Sequence, residues 1–173
     1  MECLESESSF QRFTEVEELT YEKHLTKTVS FLIYNLYNLF THKTQIRIHY
    51  ALTDQMGFVY HGHYAQFYEI GRTESLRGLG ITYKSIEEIG VIMPVVELHT
   101  KFLRPAKYDD LITVVTKVTE LPLHHKIVFH GEIYNEKNEL LNTGSVTLFF
   151  MNAKTMRRCN MPEMIKDKVK DFF

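Results

Sequence analysis

Hydrophobic and polar residues follow two different periods in the middle of the chain. From Gln45 to Leu52 they alternate, which predicts a β-strand with Ile48 and Tyr50 on the same face. From His63 to Leu79 apolar and small residues instead recur every three or four positions, which predicts an amphipathic helix. The residues of this helical stripe are Tyr64, Phe67, Tyr68, Gly71, Ser75 and Leu79.

The strand period returns after Gly90. Alternation and β-branched residues predict strands at Val95–Leu103, Leu111–Leu121 and Lys126–Tyr134, and a last strand with Val146, Leu148 and Phe150 on one face. Short helices are predicted at Tyr83–Ile89 and Pro162–Phe173. One strand, a long helix and then four strands in meander order predict an α+β domain. We expect an antiparallel five-stranded sheet wrapped around a long central helix.

The N-terminal quarter of the chain has a different character. It is polar and rich in glutamate up to about residue 28, and an apolar run follows at Val29–Phe40. That run is shorter than the roughly 20 residues that span a bilayer, so no membrane span is predicted. The run is open to three interpretations: a helix packed on the domain, a membrane-surface anchor, or residues upstream of the natural start. We expect residues 1–44 to be a non-catalytic appendage and residues 45–173 to form the functional domain.

Composition narrows the class of protein. With 173 residues, 44% of them hydrophobic, the chain is long and apolar enough for one globular domain. A net charge of −2 gives no general polyanion-binding surface, so nucleic acid is not an expected partner. Cys3 and Cys159 form neither a disulfide framework nor a zinc knuckle, and the acidic first residues do not look like a secretory signal. We therefore expect a cytoplasmic protein.

Candidate chemistry is concentrated between the first strand and the long helix. Hydrolysis of an activated carbonyl needs a nucleophile or base, and donors for the oxyanion. Asp54 directly follows the strand and can supply the carboxylate, or it can be a simple turn aspartate. Gly57 predicts a loop that folds back at positive φ, and His61 precedes a helix start whose free N–H groups can hold an oxyanion. Tyr50 is either a hydrogen-bond partner that sets the pKa of Asp54 or a core tyrosine.

Other chemistries find less support in the sequence. His61, His63 and the pair His124–His125 lack further ligands at metal-binding spacing, so no metal is expected. There is no serine nucleophile elbow, and the glycines fit neither a dinucleotide nor a P-loop fingerprint. On the outer side of the long helix, an i,i+3 ion pair is predicted between Glu69 and Arg72.

Two adjoining stretches carry a family resemblance. The first is Tyr50, Asp54, Gly57, Val59, Tyr60, His61 and Tyr64; the second is Phe67, Glu69, Arg72, Thr73, Glu74, Leu76 and Arg77. In these residues and their spacing the chain resembles the hotdog-fold acyl-CoA thioesterases of the 4-hydroxybenzoyl-CoA thioesterase and Tol–Pal-associated thioesterase type. The resemblance covers residues 45 to about 160.

The resemblance implies hydrolysis of acyl-CoA thioesters to a free acid and CoA without a metal or redox cofactor. Asp54 would be the nucleophile or general base, and backbone N–H groups near His61 would hold the oxyanion. The substrate-binding residues would be Gly57, Val59, Tyr60, Tyr64 and Arg104. Apart from the resemblance, Arg104, Lys107, Arg157 and Arg158 are either contacts for the CoA phosphates or ordinary surface cations. The site would lie at an interface of a homodimer, which often pairs again into a homotetramer. An acyl carrier protein as the carrier, or a non-catalytic acyl-CoA-binding module, are the alternatives, and the acyl preference stays open.

Overall fold

The computed structural model describes residues 40–122 and 124–173. Most of the predicted N-terminal appendage, and its apolar run up to residue 39, therefore lies outside the described residues. Among the helices of the described part, none is long and apolar enough to cross a membrane.

The described residues form seven strands and three helices. The strands are β1 (Phe40–Arg47), β2 (Val91–Ile92), β3 (Val95–Phe102), β4 (Leu111–Val118), β5 (Lys126–Tyr134), β6 (Leu140–Phe149) and β7 (Met151–Asn152). The helices are α1 (His63–Gly78), α2 (Tyr83–Glu88) and α3 (Glu163–Val169), and 3₁₀ turns cover Tyr50–Leu52 and Lys170–Phe172.

Five strands form one antiparallel sheet in the order β1-β4-β5-β6-β3, and β2 pairs with β7 in a separate ribbon. The predicted five-stranded sheet is confirmed, but the simple meander is wrong for β3. All eight residues of β1 pair with β4, so β4 has β1 on one side and β5 on the other. Consequently β3 cannot lie beside the strand that follows it in sequence, and it pairs with β6 at the far edge.

The first strand is displaced from its prediction. It begins at Phe40 and ends at Arg47, and the chain then turns through Tyr50–Leu52. This turn breaks the alternation, so Ile48 is buried whereas the Tyr50 side chain is 78% exposed. Tyr50 packs edge-on against Tyr108, with ring centroids 5.5 Å apart, and its interpretation as a core tyrosine is wrong. We propose that the domain begins with β1 rather than at residue 45.

The long helix has almost the predicted bounds, and its stripe forms the core. α1 packs against β1, β4 and β5. The approach is close at Gly71, where an added Cβ would lie 2.7 Å from side-chain atoms of Val114 and Thr116. The buried residues of α1 are Tyr64, Phe67, Tyr68, Gly71, Arg72, Ser75 and Leu76.

Arg72 is an exception to the predicted outer helix face. It is buried, and its Nε donates a 2.6 Å hydrogen bond to the hydroxyl of Tyr83. The predicted Glu69–Arg72 ion pair is therefore wrong, because the guanidinium turns toward α2. The i,i+3 ion pair of this helix joins Arg77 to Glu74 instead.

A pair of glycines makes room for Tyr68 on the sheet. Gly131 of β5 and Gly144 of β6 lie opposite each other in register. The Tyr68 ring lies over both, and a Cβ on Gly131 would overlap its ring carbons. Tyr68 thus occupies space that any other residue at these two positions would need.

We therefore expect Gly131→Ala to lower the free energy of unfolding by about 1–3 kcal/mol, because a buried ring must move. Urea denaturation measures this, with His130→Ala on the other face of the same strand as the control. In a double-mutant cycle, Gly131→Ala should lower the free energy of unfolding by less in a Tyr68→Ala background than in wild type. Equal costs in both backgrounds would show that the ring does not restrict this position.

The edge strand β3 is exposed along its whole length. Among the described residues its strand neighbour is β6 alone. Its apolar side chains Val96, Leu98 and Phe102 are 47%, 39% and 50% exposed. Because α1 packs mainly against β1, β4 and β5, Val96 and Leu98 remain exposed, whereas the Phe102 ring meets Tyr64 of α1 on one side.

Candidate active site

The loop after the first 3₁₀ turn folds back tightly at Gly57. The Gly57 N–H donates to the Asp54 carbonyl at 3.0 Å, and the Asp54 N–H donates to the Phe58 carbonyl at 2.8 Å. Gly57 has φ +76°, which confirms the predicted positive φ. Nothing lies within 4 Å of where its Cβ would be, so the backbone conformation, not lack of space, favours glycine here.

Asp54 holds this turn with one of its two carboxylate oxygens. Its Oδ1 accepts a 2.9 Å hydrogen bond from the Met56 N–H, as in an Asx turn. Oδ1 therefore has the role predicted for a turn aspartate. Within the described residues Oδ2 accepts no hydrogen bond, and the side chain is half-buried. One oxygen therefore fixes the carboxylate, and the other is available to a substrate or water.

A second loop is fastened beside the first. Phe58 forms an antiparallel bridge with Lys107, and the Val59 N–H donates to the Ala106 carbonyl at 2.9 Å. This brings the segment that follows β3, including Arg104, next to the loop that carries Asp54.

The start of α1 differs in detail from the expectation. The N–H groups of the first two helical residues are already used, since His63 donates to the Tyr60 carbonyl at 3.0 Å and Tyr64 to the His61 carbonyl at 3.3 Å. The amides of His61 and Gly62, just before the helix, donate to no acceptor in the described part of the chain. Both residues are exposed. Two available oxyanion donors, the amides of His61 and Gly62, thus lie just before the helix.

A cleft of about 260 Å³ brings most of the predicted site residues together. Its walls include Asp54, Val59, His61, Tyr64 and Arg104. Gly57 shapes the loop without lining the cleft, whereas Tyr60 and Tyr50 lie outside the wall. Tyr60 packs on the His61 ring, with centroids 4.3 Å apart.

The inner wall of the cleft is aromatic. Tyr64 is buried, and its ring meets that of Phe102 edge-on, with centroids 5.1 Å apart. Burial raises the pKa of Tyr64 above its usual value, so the phenol stays neutral. Phe58 completes this wall. The sequence prediction missed Phe58 and Phe102; the only signal for Phe102 was its place on an apolar strand face.

The cations proposed for the CoA phosphates do not all lie at the cleft. Arg104 lines it, and the Lys107 ammonium lies 5.9 Å from the Phe58 ring centroid. Arg158 instead stacks on Phe149, at 4.3 Å, at the end of β6. Phe102 of the cleft wall pairs with Asn142, which is on β6 as well. Asn142 is seven residues from Phe149, or roughly 24 Å along that strand. Arg157 and Arg158 are therefore remote from the cleft in a single chain.

No three His, Cys, Asp or Glu side chains are grouped for metal binding within residues 40–122 and 124–173. The chemistry that the cleft offers is thus a carboxylate oxygen, two backbone amide donors, an aromatic wall and an arginine.

Comparison with known proteins agrees with this description. Residues 48–169 match the thioesterase-like superfamily. Over 120 residues the chain is 31% identical to the acyl-CoA thioester hydrolase YbgC of Escherichia coli, covering 69% of this chain and 89% of that protein. It is 38% identical over 98 residues to YneP of Bacillus subtilis, named as a candidate acyl-CoA thioesterase, covering 57% of this chain and 70% of that protein.

The structure is similar to that of a DHNA-CoA thioesterase from Staphylococcus aureus, with a TM-score of 0.70 and 32% identity. That match covers 76% of this chain and 88% of the other. The chain therefore belongs to the thioesterase-like superfamily. It has the hotdog fold and is a thioester hydrolase, as the sequence resemblance predicted.

Proposed function

We propose that this protein hydrolyses acyl-CoA thioesters to a carboxylic acid and free CoA. The observation that carries the proposal is the meeting of Asp54, His61, Arg104 and the aromatic wall in one cleft. Relatives named as acyl-CoA thioester hydrolases cover most of the same residues, which supports CoA as the carrier.

In this mechanism the thioester carbonyl lies between the free Asp54 oxygen and the amides of His61 and Gly62. As a general base, Asp54 removes a proton from water while the water oxygen attacks the carbonyl carbon. As a nucleophile, it attacks that carbon itself and forms an acyl-aspartyl anhydride, which water then hydrolyses. In both routes the amide donors stabilise the oxyanion, and the C–S bond breaks to release the CoA thiolate.

Single turnover in ¹⁸O-water gives a positive test for the nucleophilic route. When water attacks the anhydride at the Asp54 carbonyl, the label enters the Asp54 carboxylate, and the released acid carries the former Asp54 oxygen. The general-base route puts label only in the released acid, so label in Asp54 would show that the anhydride forms.

The carrier is tested by presenting one acyl group on CoA and on an acyl carrier protein. We expect faster turnover of the CoA ester, since Arg104 is the one cation that lines the cleft within the described residues. A strong preference for the carrier-protein ester would move the assignment to that substrate. Binding of acyl-CoA without turnover would make the chain a binding module.

We also propose that the working form is a homodimer, alone or paired into a tetramer, joined along β3. An exposed edge strand offers unpaired backbone groups to a second copy. The exposed Val96 and Leu98 add an apolar surface of the kind that marks an interface. A cytoplasmic location stays a prediction.

Replacing Leu98 with lysine should weaken this association, because a charge would be buried in the joined sheet. Analytical ultracentrifugation should give wild type the mass of two or four 20.4 kDa chains and shift Leu98→Lys toward one. Lys101→Ala, on the other face of the same exposed strand, is the control. A wild-type protein that sediments as a single chain would contradict the proposed assembly.

A further inference from the structure

A buried polar cluster lies behind the aromatic wall of the cleft. The Tyr68 hydroxyl donates to Oδ1 of Asn142, and the Thr100 hydroxyl donates to the same oxygen at 3.0 Å. Asn142 is completely buried. Its Nδ2, however, has no hydrogen-bond partner within the described residues.

An unpaired buried amide needs an explanation, because buried polar groups are almost always hydrogen-bonded. Exchanging the amide oxygen and nitrogen does not remove the problem. Both hydroxyls converge on one atom of the amide, so the other atom is left unpaired in either orientation.

The cluster holds the amide in a fixed orientation. The Tyr68 ring is confined over Gly131 and Gly144. Burial raises the pKa of Tyr68 to about 12, so its hydroxyl keeps its proton and continues to donate. With Oδ1 occupied twice, Nδ2 is the atom left for another molecule.

The position of Asn142 connects it to the cleft. It pairs in register with Phe102, whose ring meets Tyr64 in the cleft wall. Asn142 and Phe102 share the sheet face that carries α1, because they contact Tyr68 and Tyr64 of that helix. Asn142 is completely buried behind it, so a ligand reaches the amide only when the half-exposed Phe102 ring turns aside. Asn142 is then the next polar group beyond the wall.

Resting on the proposed thioesterase function, we propose that Asn142 is a specificity-determining residue. Its amide N–H donates to an oxygen carried at the far end of the acyl group. The preferred substrates are therefore acyl-CoA esters that bear a hydroxyl or keto oxygen on the acyl group.

Matched substrate pairs test this inference in the full chain: butyryl-CoA with 3-hydroxybutyryl-CoA and acetoacetyl-CoA, and benzoyl-CoA with its 3- and 4-hydroxy derivatives. Wild type should favour an oxygenated member by at least about tenfold in kcat/KM, because a site built to donate a hydrogen bond rejects the analogue that lacks the acceptor. Asn142→Leu should bring the ratio close to one, because kcat/KM for the oxygenated ester falls to that of the plain ester. Asn142→Val replaces it if the leucine variant does not fold.

Thr100→Val is the control, since Tyr68 still holds Oδ1 and the ratio should persist. Equal kcat/KM values within every pair for wild type would overturn the inference, as would an unchanged ratio in the Asn142 variant. Absence of turnover on every ester would instead refute the thioesterase function, and the inference with it.

Discussion

Asp54→Asn is expected to lower kcat on a good acyl-CoA substrate by about 10²- to 10⁴-fold, the range for loss of a general base. A larger fall is expected if Asp54 is the nucleophile. The amide nitrogen of asparagine can neither accept the proton of water nor form an anhydride. Steady-state release of the CoA thiol measures the effect.

The substitution should leave folding intact. An asparagine oxygen can accept the same 2.9 Å hydrogen bond from Met56 that keeps the Asx turn in place. Circular dichroism and urea denaturation should therefore match wild type.

Asp110→Asn is a matched control for this change. Asp110 also accepts a backbone hydrogen bond in a turn, from the Lys107 N–H at 2.7 Å, but it does not line the cleft. Its variant should keep nearly full activity. Equal losses in the two variants would mean that turn geometry, and not the carboxylate of Asp54, supports turnover.

The second large effect is expected at the backbone of His61. A hydrogen bond from the His63 N–H to the Tyr60 carbonyl closes a four-residue turn. His61 is the second residue of this turn, a position that accepts proline. His61→Pro removes one free amide donor and should lower kcat by about 10²- to 10³-fold, as the loss of an oxyanion donor does.

His61→Ala is the matched partner, because it keeps the amide and removes only the imidazole. We expect less than about a tenfold loss of kcat in this variant. If alanine and proline reduce kcat equally, the imidazole rather than the amide acts in the reaction. Thermal denaturation of both variants separates a catalytic loss from unfolding.

Local patterns predicted the parts of the fold that local forces determine. The helical period placed α1 within one residue of its observed end, and strict alternation placed β5 correctly. The position of β3 could not be found this way, because it depends on β1 pairing with β4. Tyr50 was misplaced because the 3₁₀ turn begins inside an alternating pattern.

The same distinction applies to the site. Asp54, Gly57 and His61 are close in sequence, so one motif indicated all three. Phe102 and Asn142 come from strands that follow much later, and their place behind the cleft depends on the register of β3 with β6. No periodicity indicates that register, nor that an asparagine amide would be left unpaired.

The most direct measurement is steady-state hydrolysis by the wild-type protein of a CoA thioester panel, from acetyl to palmitoyl with benzoyl and dihydroxynaphthoyl esters. An enzyme-only blank is needed because Cys3 and Cys159 can react with a thiol reagent. We expect release of CoA from at least one of these esters, and loss of that release in Asp54→Asn. A folded protein that releases CoA from none of these esters, or releases it equally well without the Asp54 carboxylate, would contradict the proposed acyl-CoA hydrolysis at this cleft.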